Sequence, residues 1–178
     1  ALIPREIAQW RDVIAAANAR GLRVLTTGRT GGTLRLSRIQ PDGFSQRLEI
    51  VHEDRTYRIR LALPGIYQAS NALMAAGLAI AVGEDAPVAI RALEVLDGVT
   101  GRLEIVGRAR GGLAVVDYAH KPEALAAALD ALRPFASGRL ICVFGCGGDR
   151  DRGKRSGVGA LAAHKADVVL LPHPKPRP

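Results

Sequence analysis

Residues 139–155, RLICVFGCGGDRDRGKR, run from a short apolar stretch directly into a glycine-rich, charged loop. A brief apolar run bounded by turn residues reads as a strand buried on both faces, and the residues after the loop are patterned as a helix. Upstream lies a second apolar run, LAVVDYA (113–119), followed by an amphipathic helix from Pro122 to Leu132; downstream comes a third, DVVLL (167–171). This order predicts βαβαβ, a parallel sheet whose ligands gather at the carboxyl ends of its strands. Asp117–Lys121 and Gly145–Lys154 stand at such ends. A further strand near Gly98–Arg108, closed by a Gly111–Gly112 turn, precedes the unit, and the final PHPKPRP suits an extended tail.

The first hundred residues follow another rhythm. Ile7, Trp10, Ile14 and Ala17 recur at helical spacing, which predicts a helix over 4–20, from Pro4 to a stop at Gly21. LRVLTT (22–27), TLRLSRIQ (33–40), FSQRLEIV (44–51) and TYRIRLAL (56–63) alternate apolar and polar residues between turn signals, as antiparallel strands with one wet face do. Arg35, Arg38, Arg47, Arg55, Arg58 and Arg60 fall mostly on the polar phase and are expected in solvent. After Pro64–Gly65 come two helical stretches rich in Ala and Leu, ended by Gly83 and Gly98. The class is therefore α/β, with a division near residue 100.

Composition narrows the function. Of 178 residues 48% are hydrophobic and 24% charged, enough to fold around a sizeable core. The net charge of +8 is uneven: residues 1–100 hold 12 basic against 10 acidic side chains, residues 101–178 hold 13 against 7, which places anion binding in the second half. Aromatics are only 4%, too few for the stacking platforms of single-stranded nucleic acid, so no nucleic-acid partner is expected. With no apolar run of membrane-spanning length and no signal-peptide plan at the start, the expectation is a cytoplasmic protein without a membrane partner. Cys142 and Cys146, three residues apart, fit neither a disulfide framework nor a C-x-x-C pair and are read as reduced and structural.

Two constellations carry chemistry. In the loop Gly145–Arg155, backbone N–H groups between strand and helix can cradle anions. Gly148 to Lys154 spells G-x-x-x-x-G-K, but Arg155 replaces the Ser or Thr that a P-loop needs, and Arg150 occupies the third glycine position of a dinucleotide fingerprint. A plain strand-to-helix turn is the alternative. In VVDYAHKPEAL (115–125), an acid ends a buried strand and His120 precedes a helix start; Asp117 there can hydrogen-bond a ribose. His120 is either a polar cap or a group near a transferred phosphate, and Lys121 is equally a solvated residue. No spacing of His, Cys and carboxylates reads as a metal site, so the chain is expected to hold no metal itself.

Together DYAHKPEAL, GCGGDRDRGKR, PGIYQASNALMAAG and GRLE, in this order and spacing, closely resemble the Mur ligases, ATP-dependent amide ligases of peptidoglycan precursor synthesis. The resemblance implies that residues 1–100 are the later part of a central ATP-binding domain lacking its P-loop. Residues 101–178 would be the first half of a Rossmann-like C-terminal domain, and the chain an internal fragment, inactive alone, that needs the rest of the ligase. It further implies ATP and Mg2+ as cofactors, the Mg2+ ligands lying upstream of Ala1. Substrates would be the UDP-MurNAc-dipeptide and a diamino acid, meso-diaminopimelate in the commonest case, joined through an acyl phosphate. Matched residue by residue, Asn71 falls near the adenine, Arg102 near the nucleotide, Asp117 at the ribose and His120 beside the reacting phosphate. Arg150 matches the residue that clasps the carboxylate of the incoming amino acid by bidentate contact. As structural alternatives, Asn71 caps or bridges helices, and Arg102 pairs with Glu104.

The departures are specific. Where diaminopimelate-adding members carry D-N-P-R, this chain reads Pro174-Lys175-Pro176-Arg177, so only Pro176 and Arg177 match and the added amino acid is left open. Lys121 stands where threonine is common. The competing readings are a folylpolyglutamate-synthase-like ligase, expected to lack the GCGGDRDRGKR loop, and a non-catalytic nucleotide- or anion-binding module.

Overall fold

The computed structural model describes the backbone of residues 1–145 and 152–172, and side chains for the same residues except 152–156. The chain divides into two compact units, Ala1–Gly98 and Val99–Pro178.

The first unit is a five-stranded sheet in chain order: β1 (Leu2–Pro4), β2 (Leu25–Gly28), β3 (Leu34–Asp42), β4 (Ser45–His52) and β5 (Arg55–Leu61). Strands β3, β4 and β5 are antiparallel, as the alternation predicts. Leu34, Leu36, Leu48, Ile50, Ile59 and Leu61 turn one face inward, and all six arginines of the wet phase are exposed. A bulge between Leu36 and Arg38 absorbs one residue, so that Ile39 packs against the core again.

Two expectations for this unit are corrected. The helix predicted over 4–20 is confined to α1 (Trp10–Ala19), because Leu2–Pro4 pairs with Leu25–Thr27 and Ile3 is 2% exposed within the sheet. The second strand is parallel to both neighbours, not antiparallel. Helix α1 carries the chain back between β1 and β2, which makes that pair a parallel crossover. Between β2 and β3 the loop Arg29–Thr33 folds on itself through Gly31 N–H to Gly28 O (3.1 Å) and Thr33 N–H to Thr26 O (3.0 Å). Gly31 is required there: a Cβ would lie 2.6 Å from the Thr27 carbonyl carbon and 2.7 Å from Leu34 O.

Helix α2 (Ile66–Ala81) lays Ala69, Ala72, Leu73, Ala76 and Ile80 on the apolar sheet face, the alanines allowing close approach. Helix α3 (Ala86–Arg91) is capped by Asp85, whose carboxylate accepts the Val88 N–H at 3.3 Å, and runs into a 3-10 turn, Ala92–Val95. Ala89, Ile90 and Leu93 complete the core.

The second unit comprises β6 (Glu104–Ala109), β7 (Gly112–Val116), α4 (Pro122–Leu132), a 3-10 turn (Arg133–Phe135), β8 (Ile141–Val143), α5 (Arg152–Lys165) and β9 (Val168–Leu170). The parallel sheet expected over three strands is realised in β8 and β9, while β7 pairs antiparallel with β6 in a separate ladder. The turn explains this: Arg110 (φ 49°) and Gly111 (φ 78°) are both left-handed, the geometry of a two-residue hairpin whose twist suits the flanking strands. Buried Leu129, Cys142 and Ala162 form the small core around β8. Arg133 ties the approach to β8, donating to Asp167 (2.6 Å), Ala136 O (3.1 Å) and Gly138 O (3.0 Å). Cys142 is a free thiol, and burial raises its pKa, which suits the structural reading; Cys146 lies outside the described residues. Among the described residues no helix is long and apolar enough to cross a membrane.

Candidate functional site

The segment Gly101–Glu104 and the end of β7 are joined by one carboxylate. Asp117 Oδ2 accepts the Leu103 N–H at 2.9 Å, and Oδ1 accepts the Ala119 N–H at 2.8 Å. Leu103 is 4% exposed and left-handed (φ 48°), a conformation that costs a bulky residue about 1–3 kcal/mol and persists only where its surroundings impose it. The preceding turn is closed by Arg102 N–H to Val99 O (2.9 Å) and by Gly101 N–H to Glu104 Oε2 (2.7 Å). Glu104 therefore serves this turn, and the alternative pairing with Arg102 is replaced by a backbone contact.

Arg102 is directed toward an aromatic ring. Its guanidinium carbon lies 5.0 Å from the Tyr118 ring centroid, within cation–π range. Tyr118 meets the His120 ring edge-on at a centroid distance of 5.4 Å, and His120 Nδ1 is 3.2 Å from Tyr118 O. Tyr118 is 66% exposed, and Arg102 and His120 are exposed as well. A cation, an aromatic ring, an imidazole and a carboxylate with unused lone pairs thus share one open surface beside the start of α4. Such a set can contact a planar base or sugar hydroxyls and an anionic group at once.

Of the six residues assigned from sequence, Arg102, Asp117 and His120 are brought together here. Asn71 belongs to the other unit, on the exposed side of α2, where its Nδ2 donates to Gln68 Oε1 at 3.2 Å. That contact lies within one helix, so it neither caps α2 nor bridges two helices. Arg150 and Arg177, with residues 146–151 of the glycine-rich loop and the altered D-N-P-R segment, lie outside the described residues. Sequence reasoning passed over Tyr118, which stands inside the quoted motif, and over Gln68, whose three-residue spacing from Asn71 is a helical-neighbour signal. Among the described residues no group of His, Cys, Asp and Glu could hold a metal ion.

Comparison with known proteins places the chain among its relatives. Residues 101–178 match the family described as Mur ligase, glutamate ligase domain. Residues 101–178 thus carry a domain of the Mur ligase family. The chain is 51% identical over 170 residues to the UDP-N-acetylmuramoyl-L-alanyl-D-glutamate–2,6-diaminopimelate ligase of Bradyrhizobium diazoefficiens, covering 93% of this chain and 35% of the relative. Against the namesake from Rhizobium meliloti it is 48% identical over 171 residues, covering 95% of this chain and 35% of the relative. The chain thus spans about a third of the length of these relatives. A solved ligase of the same name superposes with a TM-score of 0.68 at 31% identity, covering 99% of this chain and 37% of the other. Folylpolyglutamate synthetase from Lactobacillus casei superposes with a TM-score of 0.75 at 21% identity, covering 99% of this chain and 44% of the other, a likeness of fold alone.

Proposed function

We propose that this chain is part of a cytoplasmic, ATP-dependent amide ligase that adds a diamino acid, meso-diaminopimelate by its relatives' names, to UDP-MurNAc-L-Ala-D-Glu. In this reading ATP phosphorylates the D-glutamyl side-chain carboxylate, releasing ADP. The amine of the diamino acid then attacks the acyl phosphate, and an amide forms as inorganic phosphate leaves. Catalysis by positioned charge suits such a reaction.

The observation that carries the reading is the juncture at Asp117, which gathers Arg102, Tyr118 and His120 from two separated motifs onto one surface. Asp117 is assigned to the ribose hydroxyls, Arg102 to the nucleotide, His120 to the surroundings of the transferred phosphate and Asn71 to the base. Arg150 and Arg177 are assigned to the incoming amino acid. In this reading Mg2+ is held by other residues of the ligase and would neutralise charge on the transferred phosphate. Residues 1–100 correspond in this reading to the later part of the central domain and residues 101–178 to the first half of the C-terminal one.

The test is an assay of the whole ligase containing this sequence, following phosphate release with UDP-MurNAc-L-Ala-D-Glu and each candidate acceptor. Release that requires both the nucleotide-linked dipeptide and diaminopimelate supports the reading. Release that follows glutamate addition to a folate instead moves the protein to the folylpolyglutamate class. Arg150→Ala should raise the KM for the amino acid by at least about tenfold with that for ATP within about twofold. Equal effects on both would remove Arg150 from the acceptor site.

A further inference from the structure

The free edge of the first unit's sheet opens on a basic groove. In the strand order β5 stands last, so its outer edge has no neighbouring strand among the described residues. Backbone groups along a paired strand alternate in direction, and Arg60 fixes the phase: its N–H points outward, to Glu94 Oε1 at 3.4 Å. The N–H and C=O groups of Arg58 and Thr56, two and four residues back, share that direction. There the edge meets a groove of about 430 Å3 lined by residues 55–59, Pro87 and Arg91.

Three guanidiniums flank the groove, and no carboxylate lines it. Arg55, Tyr57 and the buried Ile59 share the core-side face of β5, Arg58 stands on the wet face, and Arg91 comes from α3. Among the described residues the Arg55 and Arg91 side chains make no ion pair, and the Arg58 side chain stays 81% exposed despite its 3.1 Å contact with Glu49. An extended chain adds to a sheet edge through main-chain hydrogen bonds, its alternate side chains meeting the two faces. A second copy of β5 would set arginine against arginine, which like-charge repulsion opposes. Acidic side chains on an incoming strand would instead meet Arg58 on one face and Arg55 and Arg91 on the other. The edge already receives one carboxylate, that of Glu94, at the next outward N–H.

We propose that the outer edge of β5 is a docking site for an acidic extended segment of a partner protein, which adds as a further strand between Arg58 and the guanidiniums of Arg55 and Arg91. Docking at this edge requires none of the residues assigned to the reaction.

The experiment titrates the whole ligase against a fluorescent peptide alternating Glu and Thr, and reads anisotropy. Binding should saturate and should weaken by about tenfold between roughly 0.05 and 0.5 M salt, as exposed charges are screened. The same peptide with Lys in place of Glu should not bind. Arg55→Glu combined with Arg91→Glu, both at exposed positions, should weaken binding by about tenfold or more. A fully N-methylated Glu-Thr peptide keeps every carboxylate but has no backbone donor, and should bind about tenfold or more weakly than its parent. Bound peptide should also slow amide hydrogen exchange at Thr56 and Arg58. Equal binding of the methylated peptide, or protection that leaves out Thr56 and Arg58, would mean that charge alone attracts the peptide, and overturns strand addition. No binding of the acidic peptide to the whole ligase, or binding unchanged by the paired Arg55 and Arg91 substitutions, overturns the site. Tighter binding of an RNA oligomer or of anionic lipid vesicles overturns the choice of partner.

Discussion

In Ala1–Gly98 fourteen buried apolar side chains from β3, β4, β5, α2, α3 and the following turn meet in one cluster, whereas the buried cluster described in Val99–Pro178 is Leu129, Cys142 and Ala162. The second unit instead places individual polar groups at its critical joints: Asp117 across Leu103 and Ala119, Arg133 and Asp167 across the approach to β8. Burial is distributed and forgiving of surface change, while a hydrogen bond made by one carboxylate has no substitute when that carboxylate is removed. Residues 99–178 carry five of the six assigned site residues, with Arg102, Asp117 and His120 among the described ones, and residues 1–98 carry one. Chemistry and scaffold are therefore held by different forces, and substitutions should reveal it.

The largest effect belongs to the large core. Leu73→Ala in α2, where Leu73 is 1% exposed, should destabilise the first unit by about 2–5 kcal/mol, read from denaturant midpoints. A loss below about 1 kcal/mol would mean that the cluster repacks freely and that the contrast between the units is not one of burial. Arg35→Ala on the wet face of the same sheet is the matched control and should stay within about 0.5 kcal/mol.

Asp117 comes next. Asp117→Ala strands the Leu103 and Ala119 N–H groups and should cost about 1–3 kcal/mol, Leu103 being almost wholly buried. In the whole ligase the same change should raise the KM for ATP more than that for either acceptor substrate. Asp117→Asn keeps the size but offers only one acceptor oxygen, and should fall between wild type and alanine in both measurements. An Asp117→Ala enzyme with ordinary stability and an altered ATP KM would make Asp117 a ligand contact alone.

How much of this was legible in the sequence follows from what each feature depends on. The wet face of β3, β4 and β5 was readable because period-two alternation survives wherever one face is solvated. Strand β1 was not: it is three residues long, and its place is set by pairing with residues more than twenty positions away. Direction also escaped, since alternation in β2 is the same whether its neighbours run parallel or antiparallel. At the site, Arg102, Asp117 and His120 could be named from GRLE and DYAH. That Asp117 would grip the Leu103 N–H depends on a left-handed Leu103, which no local propensity announces. The hydrogen bond from Gln46 Nε2 to Gly65 O spans 19 residues and is invisible to any helical or strand period.

The smallest predicted effect separates the units most cleanly, because among the described residues each has an aspartate whose pKa is lowered by a different kind of partner. Arg47 and then Arg60 hold Asp42 low, and both guanidiniums are more than half exposed. Asp167 is held low first by the Leu140 N–H and then by Arg133. A carboxyl lowered in the folded state stabilises fully above its unfolded value, near 3.8, and loses that contribution as pH falls through the folded value. Both units should therefore lose stability in this acidic window. Salt distinguishes them: at about 1 M the screening length falls to about 3 Å and weakens the pull of the exposed guanidiniums on Asp42, while a backbone N–H donated directly to Asp167 is a short-range dipole that ions screen little. Carboxyl carbon titrations at low and high salt should show the Asp42 pKa rising toward its ordinary value and the Asp167 pKa moving less. Equal movement would mean that Arg133, not Leu140, governs Asp167, and the joint before β8 would then be an ion pair of the same kind as those on the wet face of the sheet.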